Sequence, residues 1–329
     1  MAKERVAHID MAAGIMILWM MLGHVGASRL GYIVPDLIVF LRRIFFFFMP
    51  WFFYKSGMFR KPQGVRIIGG GKLLKPFAMW SIIGLVVYTI CQIVWGEAPL
   101  YKLLFLKQVK AVLFQNLVLC NEPLWFLLTL FIVINIGNIL MNMIHPLIIS
   151  LIGIALGYAI YLLHNEYIPD IIANSATGLC FFSLGYWMQG KENNKYTIVV
   201  ALVGFLISVI LLHSPFVDMR TNTCLGDRAG WNYLFWFPAS WSGIIVLNNV
   251  CSKLSNFFHF KVIRFIGRNA MSFYVTHYII LYAIGYILNY CFHVTNGNIL
   301  WLKTFIYGLA AMGLESIYIW TKEYKFYKQ

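Results

Sequence analysis

The sequence contains little charge for its length. Charged residues make up 12% of the 329 positions, and Asp and Glu together number only 12. A soluble domain has about a quarter of its residues charged, so this shortage excludes water as the main solvent of the chain. The 26 Lys and Arg residues form no basic tail, which argues against a nucleic-acid-binding protein.

Several signals of processing and metal binding are also missing. No small-residue cleavage site follows the first apolar run, so we predict a retained first helix. The six cysteines are spread singly, without metal-ligand spacing, and we expect no metal. Cys120 and Cys224 fall in predicted outer loops, where an oxidising compartment would permit a disulfide, and the sequence leaves that pairing open.

Long apolar runs make up most of the chain, since 60% of its residues are hydrophobic. A helix needs about 20 apolar residues to cross a bilayer, and strands leave backbone groups unpaired in lipid. The sequence therefore predicts an all-α polytopic membrane protein with about ten transmembrane helices in one bundle, forming a single domain over 1–329. The predicted spans are 11–28, 37–57, 76–96, 123–144, 146–164, 171–188, 196–213, 231–250, 266–292 and 299–320.

The distribution of basic residues predicts the orientation of these spans. Sixteen Lys and Arg residues fall at the two ends of the chain or in loops on the same predicted side, against six in the alternate loops. Cytoplasmic segments carry the excess of positive charge. We therefore expect both termini in the cytoplasm, and the lipid bilayer is the one partner that this argument requires.

Ionisable groups at membrane depth are costly and often mark a functional site. His24 is the foremost candidate, and Asp10 lies 14 residues before it, about 40° short of four helical turns and about 21 Å away. Both residues therefore lie on one face of the first helix, as one wall of a polar cavity or as packing contacts. Arg42 and Arg43 lie inside the second span, and the sequence leaves both a cavity contact and a structural contact open for them.

Two further groups of polar residues have both a functional and a structural interpretation. On the ninth span, Ser272 shares a face with Thr276, and Tyr274 shares one with His277, for a cavity wall or for helix packing. The loop after the second span is strongly basic and includes Arg66 and Lys72. It can hold either lipid headgroups or a phosphorylated ligand.

Short motifs occur in order along the whole chain. The first comprises Arg5, Asp10 and His24. Later ones are Met49-Pro50-Trp51-Phe52-Phe53, Ser56-Gly57, Lys75-Pro76, Leu124-Trp125-Phe126-Leu127, Gly185-Tyr186, and Gly267, Asn269, Ser272, Tyr274 and His277. In order and spacing, these motifs resemble those of the acyltransferase 3 family of bacterial membrane O-acyltransferases almost end to end. Phe48 departs from the pattern, because many relatives have a histidine before Met-Pro, and Gly69 and Lys72 replace a paired-arginine loop motif of some relatives.

The resemblance implies transfer of an acyl group, acetyl above all, from cytosolic acyl-coenzyme A to a hydroxyl of a cell-envelope or lipid-linked glycan. It also implies a bacterial inner-membrane location. His24 would be the general base, although a transient acyl carrier remains open. Donor contacts would come from Arg5, Asp10, Arg66 and Lys72, and the substrate cavity from Arg42, Arg43, Trp125, Ser272, Tyr274 and His277.

Two other functions remain open on the sequence. A transporter or flippase for a glycan or small solute would use the same buried polar residues as its pathway. A non-catalytic relative that binds lipid or a partner protein would keep the fold without the chemistry. The acceptor, the acyl chain and the oligomeric state are not determined by the sequence.

Overall fold

The computed structural model describes most of the chain, with gaps at both ends and in six connecting segments. The described residues are 6–25, 30–61, 69–95, 109–112, 114–115, 117–118, 121–163, 168–211, 217–218, 223–224, 231–257 and 260–327. Within them the chain is helical apart from connecting turns and one pair of two-residue antiparallel strands, β1 (Val217–Asp218) and β2 (Thr223–Cys224). The predicted all-α membrane fold is confirmed.

At least one described helix overlaps each of the ten apolar runs. The α-helices are α1 (Ala7–His24), α2 (Asp36–Arg42), α3 (Phe48–Met58), α4 (Lys75–Trp95), α5 (Trp125–Leu140), α6 (Pro146–Leu163), α7 (Asp170–Trp187), α8 (Lys195–Leu211), α9 (Trp231–Phe257), α10 (Lys261–Arg268), α11 (Ala270–Tyr286) and α12 (Gly297–Tyr327). Two π-helical turns, Gly70–Leu74 and Ile287–Cys291, and a 3₁₀ turn at Glu122–Leu124 adjoin them.

Six of the described helical segments are long and apolar enough to cross a membrane by themselves. The helix over Lys195–Ile210 is apolar but shorter, so the count of ten crossings stays a prediction. The outer helices expose large apolar side chains such as Ile82, Ile93 and Ile210, at 64%, 67% and 70%. Such surfaces are stable against lipid tails and unstable against water, as an integral membrane protein requires.

The second apolar run is broken into two helices, whereas the sequence predicted one span over 37–57. Residues 43–47 form turns between α2 and α3. Pro50 lies in the first turn of α3, where its missing N–H costs nothing. Farther into a continuous helix, the same ring would collide with the carbonyl of residue 46 and remove a backbone hydrogen bond. Proline therefore explains why a new helix begins at Phe48.

A buried carboxylate joins the turn after α7 to α9. Glu192 is 6% exposed, and its carboxylate oxygens lie 3.3 and 3.4 Å from the Nδ2 atom of Asn248. The Asn248 carbonyl oxygen accepts a hydrogen bond from the indole of Trp51 on α3, at 2.9 Å. Burial raises the pKa of the Glu192 carboxyl. This network ties three segments together at one end of the bundle, where a buried polar group needs hydrogen-bond partners.

The closest described approach between α1 and α10 is at Gly267. A Cβ atom at this position would lie 1.7 Å from the carbonyl oxygen of Asp10 and 2.7 Å from the backbone nitrogen of Gly14. Backbone atoms cannot move aside as a flexible side chain can. Only a residue without a side chain therefore allows the two helices to cross here. Because α10 leads directly into α11, this crossing also helps to position α11.

We expect Gly267→Ala to force α1 and α10 apart and to destabilise the protein by about 1–3 kcal/mol or more, as overpacking does. The measurement is the thermal unfolding midpoint of the purified protein in detergent. Gly313→Ala on α12 is the matched control, because a Cβ atom there meets nothing within 4 Å. An unfolding midpoint for Gly267→Ala equal to that of Gly313→Ala would show that the crossing is looser than described.

Candidate active site

His24 is the last residue of α1, and its position is held by the end of that helix. The next residue, Val25, has an extended backbone, so the helix stops there. The carbonyl oxygens of a helix's last turn have no intrahelical partner. One carbonyl at this end, that of Val25, accepts a hydrogen bond from the indole Nε1 of Trp301 on α12, at 3.1 Å. This contact anchors the end of α1 that carries His24.

His277 lies in the middle of α11 and is 1% exposed. Its Nδ1 atom lies 2.8 Å from the carbonyl oxygen of Tyr274 and 3.1 Å from that of Phe273. A carbonyl oxygen can only accept a hydrogen bond, so Nδ1 of His277 must carry the proton. In the neutral imidazole, the Nε2 atom of His277 is then an acceptor.

The two histidines contact each other although 253 positions separate them in the chain. His24 Nδ1 lies 3.0 Å from His277 Nε2. Because His277 Nε2 accepts, His24 Nδ1 donates, and the proton of a neutral His24 is on Nδ1. The Nε2 atom of His24 is then the unprotonated nitrogen, with a lone pair able to take a proton from a substrate. The carbonyl of Tyr274 thus sets the tautomer of both rings.

Aromatic rings and two hydrogen bonds hold the surroundings of this histidine pair. Tyr278 lies edge-on to His24, with ring centroids 5.5 Å apart. Asn121 Nδ2 donates to the carbonyl of Val275 at 3.0 Å, and the Tyr274 hydroxyl donates to the carbonyl of Pro123. These bonds fasten the segment before α5 to α11 within one turn of His277. The surroundings of the histidine pair are therefore held by α11 and by the segment before α5.

A cavity of about 280 Å³ lies between α1, α3, α5 and α11. Tyr274 lines it, and the Tyr274 ring lies 6.2 Å from the His277 ring between centroids. Lys55, Ser56 and Phe59 line it near the end of α3 that leads into the basic loop. Its other lining residues are Ile17, Phe52, Phe126, Leu127, Leu130, Ala270 and Met271. This mostly apolar space is lined from the end of α3 to Tyr274, whose ring neighbours His277.

Arg60 follows the end of α3, two residues beyond its last helical position. Its Nε and Nη2 atoms are buried and have no hydrogen-bond partner within the described part of the chain. Gln189 Nε2 donates to the backbone carbonyls of Gly57 and Arg60, at 3.1 and 2.8 Å, and fixes the backbone there. Burial lowers the pKa of the Arg60 guanidinium, which nonetheless remains charged. A half-buried guanidinium with two buried nitrogens that lack partners among the described residues is suited to bind an anion.

The structure brings together some of the residues singled out from the sequence. His24, His277 and Tyr274 form one cluster, and Trp125 begins α5 directly after the segment fastened to Tyr274. Asp10 lies near the opposite end of α1 from His24, as the helical rise predicts.

Other predicted site residues lie elsewhere. Ser272 faces a separate groove between α4, α11 and α12. Arg42 ends α2, Arg43 follows it with an exposed side chain, and Lys72 is exposed in the π-helical turn before α4. No contact of these three with the histidine pair is recorded among the described residues. Arg5, Arg66 and Cys120 lie outside the described residues, so the donor roles of Arg5 and Arg66 and the disulfide of Cys120 with Cys224 stay predictions.

Sequence reasoning missed three residues of the site. Asn121 and Tyr278 stood out by neither spacing nor charge, and Arg60 was only one of several cations in a basic loop. The polar Asn121, two residues before the Pro-Leu-Trp element, was the one available signal. Within the described part of the chain, no cluster of three His, Cys, Asp or Glu residues could hold a metal ion.

The fold and site define a helical membrane protein with a partly buried histidine pair beside a cavity. A family model described as an acyltransferase domain matches residues 6–320. The chain therefore belongs to the acyltransferase 3 family. Searches of curated proteins and of solved structures found no match to the chain.

Proposed function

We propose that this protein is a membrane O-acyltransferase with His24 as its general base. It would move an acyl group, acetyl in the first instance, from acyl-coenzyme A to a hydroxyl of a cell-envelope or lipid-linked glycan. The observation that carries the proposal is the contact between His24 and His277, which favours a basic Nε2 on His24. Membership of an acyltransferase family supports the same reaction class.

In the proposed reaction, Nε2 of His24 takes the proton of the acceptor hydroxyl as the oxygen attacks the thioester carbonyl carbon. The new C–O bond forms, the C–S bond breaks, and coenzyme A leaves as a thiolate that takes up the proton from His24. While His24 is protonated, its Nδ1–H still donates to Nε2 of His277. A hydrogen bond from a charged donor is stronger than one between neutral groups, so His277 would stabilise the imidazolium.

The donor would approach from the basic end of the bundle. The cavity along α3 and α11 has apolar walls suited to the pantetheine arm, and Lys55 and Ser56 line its side toward the basic loop. The guanidinium of Arg60 would bind donor phosphates together with Lys72 and, as the sequence predicts, Arg66. Asp10 and Arg5 would organise the same end, where α1 begins.

We expect Arg60→Gln to raise KM for acetyl-coenzyme A about tenfold while leaving kcat within about twofold, because it removes a charged hydrogen-bond donor to phosphate. The measurement is steady-state transfer by the purified protein. Lys303→Gln on α12 removes one charge from an exposed site away from this loop and should leave KM unchanged. An unchanged KM in Arg60→Gln would remove Arg60 from the donor site.

The first experiment follows radiolabelled acetyl-coenzyme A incubated with protein in vesicles and a crude envelope glycan extract. Label transferred into glycan supports the acyltransferase. Coenzyme A binding without transfer would point to a non-catalytic relative, and neither binding nor transfer would favour the transporter. The identity of the labelled glycan would then define the acceptor.

A further inference from the structure

A second concave site lies on the outer surface of the bundle, between α4, α11 and α12. This groove has a volume of about 510 Å³. Its lining residues are Pro76, Met79, Trp80, Met271, Ser272, Val275, Thr276, Ile280, Glu315, Tyr318 and Ile319. Met79 and Tyr318 are 46% and 66% exposed, so the groove opens sideways to its surroundings. In a helix bundle of this class, those surroundings are lipid.

Glu315 is the one carboxylate among the residues that line this groove, and it lies within the last predicted span. Its two oxygens lie 3.1 and 2.9 Å from the hydroxyl oxygen of Thr276. The same hydroxyl lies 3.0 Å from the carbonyl oxygen of Ser272. A threonine hydroxyl has a single proton, so it cannot donate to both the carboxylate and the carbonyl.

Two arrangements satisfy these atoms. A protonated Glu315 can donate to Thr276, which then donates to the Ser272 carbonyl. An ionised Glu315 instead accepts from the Thr276 hydroxyl, and no cation among the described residues is paired with it to offset its charge. An uncompensated charge is costly at membrane depth, so the ionised form requires a ligand that brings a positive charge or several donors.

The groove is separate from the histidine pair. Thr276 and His277 are neighbours in sequence, but successive residues of a helix point about 100° apart. Thr276 contacts Glu315 on α12, whereas His277 contacts His24 on α1. A ligand in the groove would therefore lie on another face of α11 from the proposed reaction.

We propose that this groove binds one membrane lipid with a primary ammonium headgroup, whose ammonium pairs with Glu315. Its acyl chain lies along Met79, Trp80 and Ile319. The charge of the ammonium complements the carboxylate and supplies three donors. The apolar lining favours an amphiphile over a soluble amine, since only the amphiphile covers those side chains with a tail. This site goes beyond the proposed acyl transfer and does not depend on it.

The test is native mass spectrometry of the full chain in detergent, titrated separately with phosphatidylethanolamine and with phosphatidylglycerol of the same acyl chains. We expect one phosphatidylethanolamine bound in preference to phosphatidylglycerol. In Glu315→Gln we expect about tenfold weaker binding of phosphatidylethanolamine and an unchanged affinity for phosphatidylglycerol. Equal affinity for both lipids in the wild type, or an undiminished preference in Glu315→Gln, would overturn the proposal.

Two further variants keep the test independent of folding defects. Asp36→Asn removes one carboxylate from an exposed position on α2 and should bind phosphatidylethanolamine as the wild type does. Met79→Trp enlarges a half-exposed side chain on the groove wall, keeps Glu315, and should also weaken binding. If Asp36→Asn weakens binding as much as Glu315→Gln does, or if Met79→Trp binds normally, the groove is not the site.

Discussion

Replacement of His24 by alanine should reduce acyl transfer by about 10²–10⁴-fold, the usual contribution of a general base. The variant removes the imidazole whose Nδ1 contacts His277 and whose Nε2 is the proposed base. Binding of acetyl-coenzyme A should be retained, because His24 neither lines the cavity nor contributes to the proposed phosphate site at Arg60. The measurement combines the initial rate of label transfer with the Kd of acetyl-coenzyme A for the same preparation.

The control for this variant is His145→Ala, which removes an exposed histidine in the turn between α5 and α6. It should transfer label at the wild-type rate. Full activity in a folded His24→Ala protein would exclude both the base and the acyl-carrier roles. The two roles separate on rapid quenching, because only a carrier leaves an acyl group covalently bound to His24 when the acceptor is omitted.

His277→Leu should lower kcat by about 10²-fold with little change in KM, because His277 acts through His24 rather than on the substrate. Leucine removes the acceptor for the Nδ1–H of His24, so the tautomer with a basic Nε2 loses its support. The proposed role of His277 is comparable to that of the carboxylate that orients the histidine in a serine-hydrolase triad. Steady-state kinetics with acetyl-coenzyme A varied at fixed acceptor would measure both constants.

His277→Gln provides the conservative comparison. The glutamine carbonyl oxygen can accept the same hydrogen bond, so its kcat should lie well above that of His277→Leu. A purely structural role predicts instead that kcat follows thermal stability across the two variants. Equal kcat in the glutamine and leucine variants, at equal unfolding midpoints, would contradict the positioning role.

The positions of the helices were predictable from the sequence because apolar runs report directly on contact with lipid. The run at 146–164 corresponds to a helix at Pro146–Leu163, and that at 171–188 to one at Asp170–Trp187. The break in the second span was not foreseen. Residues 44–47 are all apolar and lead into α3 without a polar break, and the position of Pro50 within a helix depends on where the chain turns.

The candidate site was likewise predictable from the sequence only in part. His24 and His277 were recognisable separately, because an ionisable side chain at membrane depth is expensive and needs a reason to be retained. Ser272 was grouped with His277, yet it lines the groove with Glu315. Helical spacing predicts which face of α11 carries Ser272. It does not predict which other helix packs against that face.

The sequence by itself determined that this chain lies mainly in lipid, the approximate helix positions and the identity of its most costly polar residues. These are local properties of composition and order. Only the tertiary structure decided that His24 meets His277, that two buried nitrogens of Arg60 lack a partner among the described residues, and that Glu315 faces a groove. Each depends on how helices distant in the chain cross and rotate. Close backbone contacts such as that of Gly267 with Asp10 set those crossings, and no local pattern records which helix supplies the partner.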